Sequence, residues 1–186
     1  SSKEDLISYF KSGAKKELLI GVENEKFLRD KITESRADYN QIVEVLKYLK
    51  KFGWKEIKES NNLIGLFSEG RSITLEPGNQ IELAGDKFKN IHGVCGESFT
   101  FQDQLDQACS EFNLKTISIG YDPLTKLENV PNNPKKRYAI MTKEMPKNGE
   151  LSLDMMYQTC GTQINLDYFS EDDFIKKFKL ISYLTP

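Results

Sequence analysis

Two glutamates two residues apart, Glu23 and Glu25, stand inside the run ELLIGVENEKFLR. In a strand, residues i and i+2 share a face, roughly 6.6 Å apart at Cα. Ile20 and Val22 then turn to the other face. Both carboxylates can converge on one cation or on a pair of cations; without a cation they repel. A solvated strand face carries the same kind of residue, so the spacing alone leaves both readings open.

A second carboxylate pair lies in RSITLEPGNQIELAG. Ile73 and Leu75 alternate with Thr74 and Glu76, and Ile81 and Leu83 alternate with Gln80 and Glu82. Directly paired residues share a face, so a two-residue loop, which pairs Thr74 with Ile81, mixes the faces. A three-residue loop, Pro77-Gly78-Asn79, pairs Leu75 with Ile81 and Thr74 with Glu82. It also places Asn79 where a left-handed residue is wanted. Glu76 then lies diagonal to Glu82, about 7–8 Å away at the backbone. In CGTQINLDY (160–168), Ile164 and Leu166 take one face and Gln163, Asn165 and Asp167 the other. If these β segments are neighbours, one sheet face is lined by oxygen donors. Mg²⁺ takes such ligands, usually a few carboxylates together with substrate phosphates and water. That favours a Mg-nucleotide or phosphoryl-transfer site.

Other chemistries lack their residues. There is no GxxxxGK[ST], GxGxxG or GxSxG. His92 is the sole histidine, which excludes Cys-His zinc sites of the usual type and reads as a surface or packing residue. Cys95 and Cys109 fall on an apolar helical pattern and read as buried structural thiols. After a Pro-rich stretch come Lys135, Lys136, Arg137 and Tyr138. Such a run is ordinarily a solvated face, but the Arg137 guanidinium could clamp a carboxylate or phosphate.

Several elements must position these groups. Segment 2–12 reads as a helix capped by Ser2 with Asp5, and 17–29 as a long strand. Segment 38–52 reads as an amphipathic helix opened by Asp38 and Gln41, burying Ile42, Leu46 and Leu49, and stopped by Gly53. Strands over 54–58, 63–68, 71–76 and 80–84 make a meander. One helix follows over 87–112, its apolar series running Phe88, Ile91, Cys95, Phe99, Leu105, Cys109 and Phe112, weakened by Gly93 and Gly96. Segment 114–121 reads as a strand, 122–134 as an ordered loop or active-site flap, 135–145 as a helix and 156–168 as a strand. A last helix, capped by Ser170 and Asp173, carries Phe174, Phe178 and Ile181. The expectation is an α+β domain over 1–186 with a largely antiparallel sheet and packed helices.

Composition narrows the function. The 186 residues include 26 Lys+Arg and 28 Asp+Glu, a net charge of −2. No basic excess exists to drive phosphate-backbone binding, which argues against nucleic acid. No apolar run approaches the roughly 18–20 residues of a membrane span, and the start, SSKEDLISYFKSG, is too polar for a secretory signal. The three cysteines, Cys95, Cys109 and Cys160, are odd in number and without CxxC. They read as reduced thiols, and a cytoplasmic location is expected.

IGVENEKF (20–27), SITLEPGNQIELAG (72–85), KRYAIMTKEMP (136–146) and LDMMYQTCGTQINLDYFSE (153–171) together resemble the plant-type and proteobacterial glutamate–cysteine ligases. The resemblance implies a glutamine-synthetase-like carboxylate–amine ligase fold. It also implies synthesis of γ-glutamylcysteine from ATP, L-glutamate and L-cysteine with Mg²⁺, the first step of glutathione biosynthesis. By the same resemblance Glu23 and Glu25 are Mg²⁺ ligands, and Glu76 and Glu82 further metal or substrate contacts. Arg137 becomes a substrate-anion contact. Met156 and Cys160 become lining of the amino-acid pocket, and Gln163 and Asn165 polar site residues. Cys95 lies near a cysteine that plant members use in redox regulation. TQINLD replaces the more usual VQVNLD. The family runs well beyond residue 186, so the chain is expected to be a fragment with little activity alone, completed by a C-terminal segment or a homo-oligomer. A sister ligase with another amine acceptor, or a non-catalytic binding domain, stays open.

Overall fold

The computed structural model describes residues 2–185, so the two ends of the expected 1–186 domain lie just outside it. The chain folds as α+β around an antiparallel sheet of seven strands. Strand β1 (Ile20–Asp30) is its hub. Strands β2 (Lys55–Glu59), β3 (Asn62–Ser68), β4 (Arg71–Leu75) and β5 (Ile81–Phe88) form a meander that reaches β1 through β5. Strand β6 (Leu114–Ile117) pairs with residues 27–30 of β1, and β7 (Thr162–Leu166) with residues 20–24.

The β4–β5 register is the one that side-chain alternation selects: Leu75 opposes Ile81 and Thr74 opposes Glu82. Asn79 sits at φ 62° in the left-handed region, and Asn79 N–H donates to the Glu76 carbonyl at 2.9 Å. One sheet face is apolar. Leu28, Leu66, Ile73, Leu75, Ile81 and Leu83 pack there against helices α2 (Tyr39–Leu49) and α3 (Ile91–Glu111). Helix α2 contributes Ile42, Val45, Leu46 and Leu49, and α3 contributes Phe101, Leu105, Ala108 and Cys109. Each Leu, Ile, Val or Phe among them is worth about 1.5–3 kcal/mol of burial. Helix α2 starts at a reciprocal cap: Asp38 accepts from Gln41 N–H at 2.9 Å and Gln41 Oε1 from Asp38 N–H at 3.0 Å. Gly53, at φ 90°, ends its following turn.

The opposite face carries the odd-numbered residues of β1. Over one end of it lie α4 (Lys136–Glu144), α5 (Ser152–Gln158) and the 122–134 segment. Val130, Met156 and Tyr157 make a small second core there, with Leu127, Met141, Met145 and Leu153 around it. A buried ionic knot ties this layer to β1. Asp122 accepts from Arg36 Nη1 at 3.1 Å and also from Arg29. Arg36 further donates to the carbonyls of Tyr157 (3.3 Å) and Gly78, and its guanidinium lies 4.1 Å from the Phe27 ring centroid. Gly78 is a close-approach position: a Cβ there would stand 2.7 Å from the Tyr157 carbonyl oxygen and 2.9 Å from Val130 Cγ1. Helices α1 (Lys3–Ser12) and α6 (Glu171–Leu184) meet beside the sheet and bury none of their residues fully.

Four sequence expectations need correction. Residues 87–88 belong to β5, because Phe88 pairs with Ile20; the helix starts at Ile91, capped by Asn90. Its buried stripe is Val94, Phe101, Leu105, Ala108 and Cys109, so Ile91, Phe99 and Cys95 face outward. Strand β6 stops at Ile117, and Tyr121 keeps only an isolated bridge to Thr159. Met156 lies in helix α5, not in a strand, and β7 begins at Thr162.

Candidate functional site

Register brings the acidic pairs together. Glu25 stands directly opposite Glu82 across β1–β5, and Glu23 opposite Gln163 across β1–β7. Asn165 pairs with Gly21, one step along the same face, and its side-chain amide donates to Glu23 Oε1 at 3.1 Å. Directly opposed residues have Cβ atoms about 4.5–5.5 Å apart. Glu76, just past β4, joins from the hairpin. Glu23, Glu25, Glu76, Glu82, Gln163 and Asn165 therefore share one polar face, on strands that are far apart in sequence.

Each carboxylate is held in place. Gly161 N–H donates to Glu25 Oε2 at 2.7 Å, and Thr74 Oγ1 to Glu82 Oε1 at 3.0 Å. Tyr138 Oη lies 3.2 Å from Glu76 Oε1 and 2.9 Å from the Leu75 carbonyl. Partial burial is the largest influence on Glu25, Glu76 and Glu82, and all three carboxyls are pushed above the ordinary range. Repulsion adds to it: Glu82 and Glu23 act on Glu25, Glu25 acts on Glu76, and Glu76 and Glu23 act on Glu82. The Gly161, Tyr138 and Thr74 hydrogen bonds pull the other way.

This donor set suits a hard cation by charge and by element. Among the described residues no three acidic, histidine or cysteine side chains stand close enough to close a metal cage. What the face offers is paired carboxylates. That matches the way Mg²⁺ is held by one or two carboxylates, with phosphate and water completing its shell.

The remaining candidates are placed less centrally. Arg137 is exposed and donates to Tyr138 Oη at 3.2 Å; it makes no hydrogen bond to Glu76, but its positive charge helps to lower that carboxyl. Met156 is buried in the second core, where its carbonyl accepts from Gln80 Nε2 at 3.2 Å. Cys160 is half-buried; burial first, then the Glu25 charge, pushes its thiol far up, so it stays protonated. That fits a lining group and not a nucleophile. Sequence reading missed two residues. Gln80, 1% exposed, braces the hairpin by donating to the Met156 and Thr159 carbonyls and accepting from Gly78 N–H. Lys135 donates to the Leu75 carbonyl at 2.7 Å, beside Glu76. Its proximity to Arg137 in PKKRY was the available signal, and only the turn into α4 shows which of the basic residues faces inward.

Comparison with known proteins shows the family to which the chain belongs. The family described as Glutamate-cysteine ligase family 2 (GCS2) matches residues 19–186. The chloroplastic glutamate–cysteine ligase A of Oryza sativa subsp. japonica is 42% identical over 188 residues, covering 100% of this chain and 38% of the relative. The chloroplastic enzymes of Nicotiana tabacum and Arabidopsis thaliana are each 40% identical, again covering 100% of this chain but 36% of their own length. The chain thus spans little more than a third of these relatives. The cytoplasmic expectation is corrected by the same names: these relatives are chloroplastic. The state of three thiols does not say which compartment holds the chain.

Proposed function

The chain belongs to glutamate–cysteine ligase family 2, and from that membership we propose that it carries the metal-holding part of an ATP-dependent ligase. That ligase joins the γ-carboxylate of L-glutamate to the amine of L-cysteine, the first step of glutathione biosynthesis. The observation that supports this most is the cross-strand Glu25–Glu82 pair with Glu23 and Glu76 on the same face. The sheet would be part of a glutamine-synthetase-like carboxylate–amine ligase fold. A plastid location follows from the relatives' names.

Glu23, Glu25, Glu76 and Glu82 would hold Mg²⁺, which when bound neutralises the charge of the nucleotide phosphates. ATP phosphorylates the γ-carboxylate, and the cysteine amine then displaces phosphate from the acyl phosphate. The protein's task is positioning and charge stabilisation. Thr74, Gly161 N–H and Tyr138 fix the carboxylate rotamers in advance. Lys135 and Arg137 supply positive charge on the flank of that face, where an anionic substrate group is best received. Met156 and Cys160 belong to the amino-acid side of the site, Cys160 as a protonated wall. Gln163 and Asn165 are polar contacts, Asn165 also orienting Glu23. The complete reaction is proposed for the whole ligase, of which these residues correspond to little more than a third.

The test is cation-dependent stabilisation. Millimolar Mg²⁺ should raise the melting temperature of this chain, and more so with ATP present. Glu25→Gln should abolish the shift while keeping the fold, because the amide is isosteric with the carboxylate. An unchanged melting temperature with and without metal and ATP in the unsubstituted chain would sink the proposal.

A further inference from the structure

The acidic face already has a positive charge beside it. Lys135 occupies the N-cap of α4 with an extended backbone (φ −62°, ψ 122°), so its side chain leaves the helical path. It is half-buried, and its ammonium donates to the Leu75 carbonyl at 2.7 Å. The Tyr138 ring centroid lies 5.2 Å away. The Leu75 carbonyl thus takes bonds from both Lys135 and Tyr138, immediately before Glu76 in the chain. Its neighbours in the run behave differently. Lys136 is exposed, and its backbone N–H donates to Glu59. Arg137 is exposed and donates to the Tyr138 hydroxyl at 3.2 Å.

Lys135 therefore shares the Leu75 carbonyl with the Tyr138 hydroxyl that lies 3.2 Å from Glu76 Oε1, on the hairpin that carries Glu82, and its moorings are a neutral carbonyl and a ring. Among the described residues it closes no ion pair. A lysine on a four-carbon stem, tied by one neutral hydrogen bond, can withdraw at little cost, unlike a guanidinium locked in a bidentate pair. A divalent cation entering among the same carboxylates meets this ammonium as a like charge.

We propose that Lys135 supplies a standing positive charge beside the Glu76 and Glu82 carboxylates and so weakens the binding of a divalent cation among them. Its retreat would set the cation's affinity and free an ammonium for an anionic ligand group. This rests on the cation-site reading above. It assigns to Lys135 a tuning role that the exposed Lys136 does not share.

The experiment titrates Mn²⁺ into the chain, following free Mn²⁺ by electron paramagnetic resonance, with Mg²⁺ calorimetry in parallel. Lys135→Met should bind Mn²⁺ roughly five- to tenfold more tightly, the order expected for removing one unit charge near a divalent ion in a water-exposed setting. Lys135→Arg keeps the charge and should stay close to the unsubstituted affinity. Lys136→Met, at an exposed position, should do the same. If Lys135→Met does not fold, Lys135→Gln carries the same expectation. Equal affinity in the unsubstituted chain and the neutral variant overturns the inference and leaves the cation site standing. Weaker binding in the neutral variant overturns it too, because Lys135 would then be bracing the site. Saturable binding that appears only in the neutral variant supports it. Absence of saturable binding in both proteins overturns the cation site itself and the inference with it.

Discussion

Removing the Arg36 side chain should be among the most damaging single changes in this fold. The Arg36 side chain is 2% exposed and that of Asp122 1%. Arg36→Met keeps much of the stem but deletes every bond to Asp122, Gly78 and Tyr157. Breaking one side of a buried ion pair costs about 3–5 kcal/mol, because the other charge is left stranded. Asp122 keeps Arg29 and the N–H groups of Leu124 (3.0 Å) and Thr125 (3.2 Å), which moderates that term. The orphaned Gly78 and Tyr157 carbonyls each add about 1 kcal/mol. The net expectation is a loss of about 3–5 kcal/mol, a large share of the roughly 5–15 kcal/mol that holds a domain together. The single tryptophan, Trp54, is buried at 5% exposure and reports unfolding in urea by fluorescence. Arg36→Lys should recover little, since one ammonium cannot meet three acceptors lying in different directions. In a double-mutant cycle with Asp122→Asn the coupling should exceed about 1 kcal/mol. A loss below about 1 kcal/mol for Arg36→Met, or no coupling, would refute the view that this knot holds the second layer onto β1.

Two further outcomes follow from the same structure. Burial raises the Asp122 carboxyl, but bonds from Thr125, Leu124 N–H and Arg36 outweigh it and hold it below the usual range. A depressed carboxylate contributes stability above its unfolded value of about 3.9 and loses it as pH falls through the lower folded value. The stability gap between the unsubstituted chain and Asp122→Asn, measured by urea titration, should therefore narrow from pH 5 to pH 2.5; a constant gap would contradict the assignment. Among the cysteines, Cys95 is exposed, Cys109 is buried with its thiol pushed up to about 12, and Cys160 is half-buried and protonated. Ellman's reagent at pH 8 should label about one thiol quickly in the native chain, and all after denaturation; Cys95→Ser should remove the fast phase.

Local chemistry made much of this legible. The Asp38–Gln41 cap, the Gly53 stop and the Leu75–Ile81 register each depend on residues a few positions apart, and each appears as the sequence implies. The shared face of Glu23, Glu25 and Glu82 followed from alternation once the strands were neighbours. What escaped depends on partners distant in sequence. Phe88 extends β5 because Ile20 lies opposite it, overriding a helical pattern that included it. Ile91 and Phe99 are apolar yet outward-facing, so the apolar series of the sequence is out of phase with the buried stripe. Met156 sits in a helix of seven residues, too short to show a period. Arg36 and Asp122 are 86 residues apart, and nothing local marks them as a pair.

The hub position of β1 has a consequence for the order in which the chain can assemble. Residues 20–24 find their β7 partners only at 162–166, about 140 residues later. At roughly 5–20 residues per second of synthesis, β1 waits roughly 7–28 s between leaving the ribosome and gaining that neighbour. Throughout that interval the 20–24 stretch of one edge of the strand is open, and Glu23 and Glu25 have neither Asn165 nor Gly161 to satisfy them. Their mutual repulsion then acts as a guard, discouraging two nascent chains from joining edge to edge. Acids that would later gather a cation would first serve to keep an unfinished sheet solitary.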